Sequence, residues 1–501
     1  MPIDKLEWSS NPKIYEINTW PWLKSLTDRF NTPITLKNIP SEVINQEISL
    51  FDAIWLMGVW ERSPASRKIA LEHNGLQKEY HKALHEFGDE DVVGSPYSIY
   101  YYQVDKRIGG IDGLMKVRQR LSERGIQLLL DYVPNHVSID SLWTLDSNLF
   151  IEGTLDDLMN HPKDYFSLSG KVYAHGRDPN FRGWTDTIQI NAFSKESRQK
   201  TINTLLKIAD QCDGVRCDMA MLMTNSVFKN TWGEKVGSIL DKEFWVEVIQ
   251  AVKKKFPHFL FIAEVYWDME WELQQQGFDF CYDKRLYDRL SYGNSQSIKA
   301  HLNADIDYQR KLIRFIENHD ELRASTNFEE KRNYASAIIT MTLPGARLIH
   351  EGQMKGYKIK IPVQLGKRQI EEENLDLLKF YSHLLQIIPG KDLENGDWSL
   401  CSVNSVELED RSFTNIISYL WWSDNIYRLT VVNFSSEIAK AHIVISQLNY
   451  GSSDWLFTDL ITGKNYNYNG VNLDKFGLYV KLPAWGGHIF DIKKKRFIIT
   501  S

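Results

Sequence analysis

An arginine stands two residues before an aspartate in Gly214-Val215-Arg216-Cys217-Asp218. If this apolar approach is a strand, residues two apart share a face, so guanidinium and carboxylate emerge side by side. The cation favours the ionised carboxylate, the state that a carboxylate nucleophile requires. Three further segments carry polar groups of a matching kind: Asp131-Tyr132-Val133-Pro134-Asn135-His136, Ala263-Glu264-Val265-Tyr266 and Phe315-Ile316-Glu317-Asn318-His319-Asp320. Singly, each reads as an ion pair, a cap or a strand end. Together they supply a nucleophile, an acid and groups that grip hydroxyls, a set suited to carbohydrate.

Cleavage of an α-linked sugar with retention needs a nucleophilic carboxylate and a second carboxyl that serves as acid and then base, about 5–5.5 Å away. Asp218 is the nucleophile of choice because Arg216 holds it ionised. Glu264 is the acid: it ends an apolar strand and precedes Tyr266 and Trp267, surroundings expected to raise its pKa. Asp320 is a third acid, able to stabilise positive charge or hold hydroxyls. His136 and His319 suit hydroxyl hydrogen bonding. Arg177 and Asp178 in the insertion read as a surface salt bridge, with reach to the substrate as the alternative.

The elements that must position these groups follow a repeat. Residues 13–20 and 51–58 read as buried strands. An amphipathic helix over 111–124 ends at Gly125, and a strand runs from Ile126 to Val133. A helix near 195–211 leads to the strand that ends at Asp218, and another near 243–255 is closed by Pro257 before the strand 259–263. Further strands follow at 278–282, 312–317 and 346–350. Repeated β-α units of this kind predict an α/β fold, a (β/α)₈ TIM barrel, whose active site lies at the C-terminal ends of the strands. The polar motifs fall at those ends.

About 75 residues separate the third and fourth strands, more than one helix needs. Residues 137–190 are therefore expected to form a short inserted subdomain. After about 395 the helical pattern stops, and 414–421, 426–433, 440–446, 476–482 and 487–492 read as strands of an antiparallel β-sandwich. The expected division is a barrel over 1–136 and 191–394, the insertion, and a sandwich over 395–501.

The chain has 501 residues, 43% of them hydrophobic, and a net charge of −6. Spread basic residues exclude nucleic acid as the main partner. No run approaches the roughly 20 apolar residues that span a bilayer. The start, Met1-Pro2-Ile3-Asp4-Lys5-Leu6-Glu7, lacks the apolar core of a signal peptide, and the four cysteines show no metal or disulfide spacing. Cys217 reads as a packing thiol. A cytoplasmic protein with a small carbohydrate substrate and no membrane partner is expected; the oligomeric state is open.

In order and placement, the four segments resemble those of the α-amylase superfamily of glycoside hydrolases. The likeness extends over the barrel, the insertion and the sandwich. It implies a retaining α-glycosidase in which Asp218 matches the nucleophile, Glu264 the acid/base and Asp320 the transition-state-stabilising aspartate. Arg216, His136 and His319 match residues around the sugar at the cleavage site, and Tyr97 in Gly94-Ser95-Pro96-Tyr97 is similar to the tyrosine that stacks on it. Arg323 resembles the arginine that exo-acting members use near the blocked end of the donor. Those members often pair it with an aspartate at the position of Gly94. No cofactor is expected: Asn135 matches a family calcium ligand, but no convincing set of partners accompanies it.

Departures from the family pattern narrow the expectation. Starch-degrading members place Lys-His a few residues beyond the nucleophile, where this chain has Met219-Ala220-Met221-Leu222-Met223. An apolar wall there suits short α-glucosides better than a long wet polysaccharide. It also disfavours water as acceptor, which keeps transglycosylation and phosphorolysis beside hydrolysis. The contrasting expectation, a non-catalytic sugar-binding relative, is opposed by the presence of all three acids.

Overall fold

A computed structural model describes residues 7–495. The first six residues of the amino-terminal stretch read above lie outside them.

Eight parallel strands close into a barrel. They are β1 (Lys13–Asn18), β2 (Ala53–Met57), β3 (Gln127–Tyr132), β4 (Gly214–Cys217), β5 (Leu260–Ala263), β6 (Phe280–Tyr282), β7 (Leu312–Arg314) and β8 (Ala346–His350). Around the barrel they follow chain order, so the α/β barrel predicted from the β-α rhythm is the observed fold. Every residue of β2, β3, β4, β5, β6, β7 and β8 is buried, as expected for parallel strands covered on both faces. The helices Gly110–Ser122, Lys195–Ala209 and Phe244–Lys255 lie within two residues of their expected ends.

The register aligns the strand ends that carry the chemistry. Gly214 pairs with Leu129 on one side and Leu260 on the other, and Cys217 with Tyr132 and Ala263. The residues just past these strands, Val133, Asp218 and Glu264, therefore leave the barrel at one level. Gly214 permits the close approach: a Cβ there would stand 2.6 Å from the Leu260 carbonyl oxygen and 2.8 Å from Leu129 Cδ2.

The chain divides into two compact units, one of residues 7–8, 14–282 and 359–371, the other of 9–13, 283–358 and 372–495. In the first unit β2 is followed by an excursion that the sequence reading did not anticipate. Trp60–Arg62 and Ile99–Val104 form an antiparallel pair, with helices Pro64–Glu72 and Asn74–Ala83 between them. This excursion carries Tyr97. Residues 137–190 hold short strands, Tyr165–Leu168 and Lys171–Ala174 among them, around a small core of Val137, Trp143, Leu149, Phe150, Tyr173, Ile188 and Ile190.

The second unit contains the carboxyl-terminal antiparallel sheets, one of six strands and one of three. Ile416, Leu420, Leu429 and Val431 of the larger sheet share one core with Ala441, Ile443, Leu478 and Val480 of the smaller, which makes a sandwich. The sequence reading found five of these strands and missed Asp397–Leu400, Ser402–Asn404, Asp454–Asp459 and Asn465–Asn469. Among the described residues no helix is long and apolar enough to cross a membrane.

Candidate active site

Arg216 is fully buried and forks between two carboxylates. Its Nη1 donates to Asp218 Oδ1 at 2.7 Å, and its Nη2 stands 2.7 Å from Glu264 Oε2. The sequence reading paired Arg216 with Asp218 alone. The second arm reaches Glu264 because β4 and β5 are in register, so one guanidinium holds both carboxyls of the expected pair. Burial alone would depress this guanidinium. The facing Glu264, Tyr97, Tyr282 and Asp218 outweigh it and hold Arg216 well above its usual range. The rings of Tyr97, Trp55 and Tyr282 lie 5.2, 5.4 and 5.7 Å from its Cζ, and Nε donates to the Tyr282 hydroxyl at 3.3 Å.

The surroundings of Glu264 are more polar than its apolar strand suggested. Besides the Arg216 contact, the Met219 backbone N–H donates to Oε2 at 2.7 Å and the Tyr266 hydroxyl donates to Oε1 at 2.9 Å. Trp267 is 42% exposed. Burial in apolar surroundings therefore does not describe this site, where three donors converge on a buried carboxylate.

Backbone strain concentrates beside the two acids. Met219 adopts φ 41°, ψ 48°, and Trp267 and Asp268 both have φ 62°. These are left-handed conformations that residues with side chains adopt rarely. The turn at Met219 aims its N–H at Glu264 and sends Ala220, Met221, Leu222 and Met223 inward, where all four are buried. Of the five residues expected to form an apolar wall on the acceptor side, Met219 alone is partly exposed.

His136 is buried. Burial pushes its pKa down against the opposing pull of Asp218, Asp186 and a bond to the Tyr97 backbone, so it is neutral near pH 7. Asp131 is a support: Oδ1 accepts from Trp55 Nε1 at 3.1 Å, Oδ2 from the Gly58 N–H at 2.7 Å, and its carbonyl from Trp60 Nε1 at 2.8 Å. Burial raises the Cys217 thiol well above its ordinary value, which fits the expected packing thiol. Arg177 and Asp178 have other partners than the expected salt bridge. Arg177 donates to the Thr231 carbonyl and lies over the Trp232 ring, and buried Asp178 caps the Asn180 and Phe181 N–H groups.

The second unit carries the remaining candidates. His319 is buried with Nε2 3.0 Å from Asp320 Oδ2, while the Asp320 side chain is 43% exposed. Asn318 Oδ1 accepts from the N–H groups of Asp320 and Glu321, each at 2.9 Å, and fixes this turn after β7. Arg323 is buried. It bonds Glu317 Oε1, His350 Nδ1 at 2.9 Å and the Glu351 carbonyl at 2.8 Å. Burial would raise Glu317, but Arg323 and His350 dominate and hold it below the usual carboxylate range.

The structure thus brings Asp218, Glu264, Arg216, Tyr97 and His136 together in the first unit, and His319, Asp320 and Arg323 in the second. Tyr282 and the Tyr266 hydroxyl were not assigned from sequence. Their signal was position alone, one at the end of β6 and one two residues beyond Glu264.

Residues 50–376 match the family model described as alpha amylase, catalytic domain. The alpha-amylase MalA of Haloarcula japonica is 22% identical over 87% of this chain and 57% of its own length. A cyclomaltodextrinase of Geobacillus thermopakistaniensis is 20% identical over 78% of this chain and 64% of its own length. The chain spans between half and two-thirds of the curated relatives it matches. Among solved structures, the maltogenic alpha-amylase AmyB from Thermotoga neapolitana superposes with a TM-score of 0.65 at 18% identity, covering 96% of this chain and 98% of that one. The cyclic alpha-maltosyl-(1→6)-maltose hydrolase from Arthrobacter globiformis gives 0.63 at 17% identity, over 98% and 100%. At these identities the likeness is one of fold.

Proposed function

The chain belongs to the alpha-amylase family, and from that premise we propose that it is a retaining α-glycosidase acting on short α-glucosides or α-glucan oligosaccharides. Asp218 attacks the anomeric carbon and forms a glycosyl-enzyme while Glu264 protonates the departing oxygen. Glu264 then deprotonates the acceptor that releases the sugar. Asp320 stabilises the positive charge that develops on the ring, Tyr97 stacks on the sugar, and His136 and His319 bond its hydroxyls. Arg323 is assigned to the substrate's side on family resemblance, through the Glu317 and His350 network.

The observation that carries this reading is the Arg216 fork. Two buried carboxyls each stand 2.7 Å from one arm of the same guanidinium, an arrangement that supports the paired carboxyls a retaining enzyme needs. Water is the acceptor we favour, a reading supported by the likeness to the cyclic alpha-maltosyl-(1→6)-maltose hydrolase. Transfer to another sugar or to phosphate uses the same intermediate. The names of the maltogenic amylase, the cyclomaltodextrinase and the maltosyl-maltose hydrolase support α-glucan oligosaccharides as the substrate class.

A cytoplasmic setting belongs to the same reading and is supported by four free cysteines, three of them buried. The domain boundaries given above, with the barrel interrupted at 137–190 and ending near 394, are part of the proposal.

The test is a proton NMR time course with maltose, isomaltose, trehalose and maltotriose, with and without phosphate, using Asp218→Asn as the blank. An α-anomer as first product, absent from the blank, supports retention on Asp218. A β-anomer as first product, or undiminished turnover in the blank, refutes it.

A further inference from the structure

Three oxygens converge on one side-chain nitrogen beside the site. Gln189 Nε2 lies 2.9 Å from the Asn135 carbonyl oxygen, 2.9 Å from Asn135 Oδ1 and 3.0 Å from the Ile190 carbonyl oxygen. Gln189 is fully buried, at the end of the strand Thr187–Gln189 that closes the insertion, and it pairs with His136. Its other amide atom, Oε1, accepts from the Arg177 N–H at 3.3 Å. That bond fixes the amide orientation, since a flipped group would set an oxygen against three oxygens and a nitrogen against a donor.

A convergence of carbonyl and amide oxygens is what a hard cation such as calcium takes, at about 2.3–2.6 Å and with 6–8 oxygens. Here the residues do not fit a metal. The separations are those of N–H···O bonds, and the cage itself holds no carboxylate to offset two positive charges. Among the described residues no group of three or more His, Cys, Asp or Glu is arranged to hold a metal ion.

We propose that the Gln189 side-chain amide does the work of a structural cation in this chain, joining the exit of the insertion to Asn135 without calcium. The strut has a second consequence. With Oδ1 of Asn135 committed to Gln189, Asn135 Nδ2 faces His136 Nδ1 at 3.3 Å. Gln189 thereby acts as a positioning residue for His136, two bonds removed.

The experiment compares the parent protein, Gln189→Glu and Gln189→Met by thermal unfolding in EDTA and in a calcium chloride series, with metal analysis of the purified parent. The parent is expected to carry no stoichiometric calcium and to unfold at the same temperature in EDTA and in calcium. Gln189→Glu places an anion against three oxygens, so it should unfold several degrees lower in EDTA and recover in a saturable way with calcium. Gln189→Met loses the donors without gaining a charge and should be destabilised with no calcium response. The proposal is overturned if EDTA lowers the parent's midpoint and calcium restores it, or if Gln189→Glu matches the parent in both media. Should neither variant fold, the parent's metal content and its response to EDTA still decide. None of these readouts depends on the catalytic assignment.

Discussion

Replacing Arg216 by Gln and Asp218 by Asn in separate variants distinguishes a catalytic fork from an ordinary buried ion pair. The fork holds one cation against two carboxyls, all buried. Arg216→Gln removes the cation that both carboxyls face. Breaking a buried pair by removing one partner costs about 3–5 kcal/mol. The expected loss in thermal midpoint is roughly 3–5 °C. Asp218→Asn behaves differently, because Arg216 and Glu264 remain as a one-to-one pair and an amide still accepts from Nη1. Its cost should be about 1 kcal/mol. Activity should rank the other way. Asp218→Asn removes the nucleophile and should lower kcat by at least about 10⁴-fold, whereas Arg216→Gln keeps both carboxyls and should lose about 10²–10³-fold. Thermal unfolding and steady-state turnover on an activated α-glucoside read both quantities. If Asp218→Asn were as destabilised as Arg216→Gln and kept its turnover, the fork would be a structural ion pair and the reasoning would fail.

Three further outcomes follow from individual contacts. Tyr266→Phe removes the hydroxyl that donates to Glu264 Oε1 at 2.9 Å, a hydrogen bond worth about 0.5–1.5 kcal/mol. It should lower kcat by up to about 10-fold with little change in thermal midpoint, and an unchanged kcat would free Tyr266 from any role in holding the acid. Burial depresses both His136 and His175 in the folded state. Their stabilising contribution is therefore present above the unfolded pKa of about 6.5 and is lost as pH falls through the lower folded values. The midpoint should drop from pH 7 to pH 5, and His175→Gln should flatten that drop; a slope unchanged by the substitution contradicts the assignment. Gly214→Ala places a Cβ 2.6 Å from the Leu260 carbonyl oxygen and should cost about 1–3 kcal/mol. Because β4 carries Arg216 and leads into Asp218, kcat should fall with the midpoint, and a fully active, fully stable variant would mean that β4 can shift freely.

Much of this molecule was legible in the chain because its signals are local. The strands β3, β4 and β5 are short apolar runs bounded by Gly125, Gly214 and Pro257, and each ends in a polar residue that a buried strand does not need. Asp218 and Glu264 could be singled out for that reason. Register was not legible. That Arg216 reaches Glu264 as well as Asp218 depends on β4 lying beside β5, a pairing that no residue type announces. The turn at Met219 was hidden for a related reason. An apolar pentapeptide after the nucleophile reads as a wall, and only the left-handed φ of Met219 turns Ala220–Met223 into the core. The partners of Arg323 were not legible because Glu317 and His350, which hold it, are separated from one another by 33 residues. The excursion after β2 escaped because its antiparallel pair, Trp60–Arg62 with Ile99–Val104, is short and irregular in register. The missed sandwich strands, such as Asn465–Asn469, are rich in asparagine, which reads as loop until a partner such as Asp454–Asp459 supplies the hydrogen bonds.

The central claim is that Asp218 forms a covalent bond to the sugar, and the most direct measurement is to trap it. Incubating Glu264→Gln with an α-glucosyl fluoride supplies a leaving group that needs no acid, while the missing base slows release. Peptide mapping by mass spectrometry should then find one hexosyl increment on the peptide that bears Asp218, and none in the Asp218→Asn, Glu264→Gln double variant. An increment on another carboxylate, or turnover of the fluoride with an inverted first product and no adduct, would contradict the account.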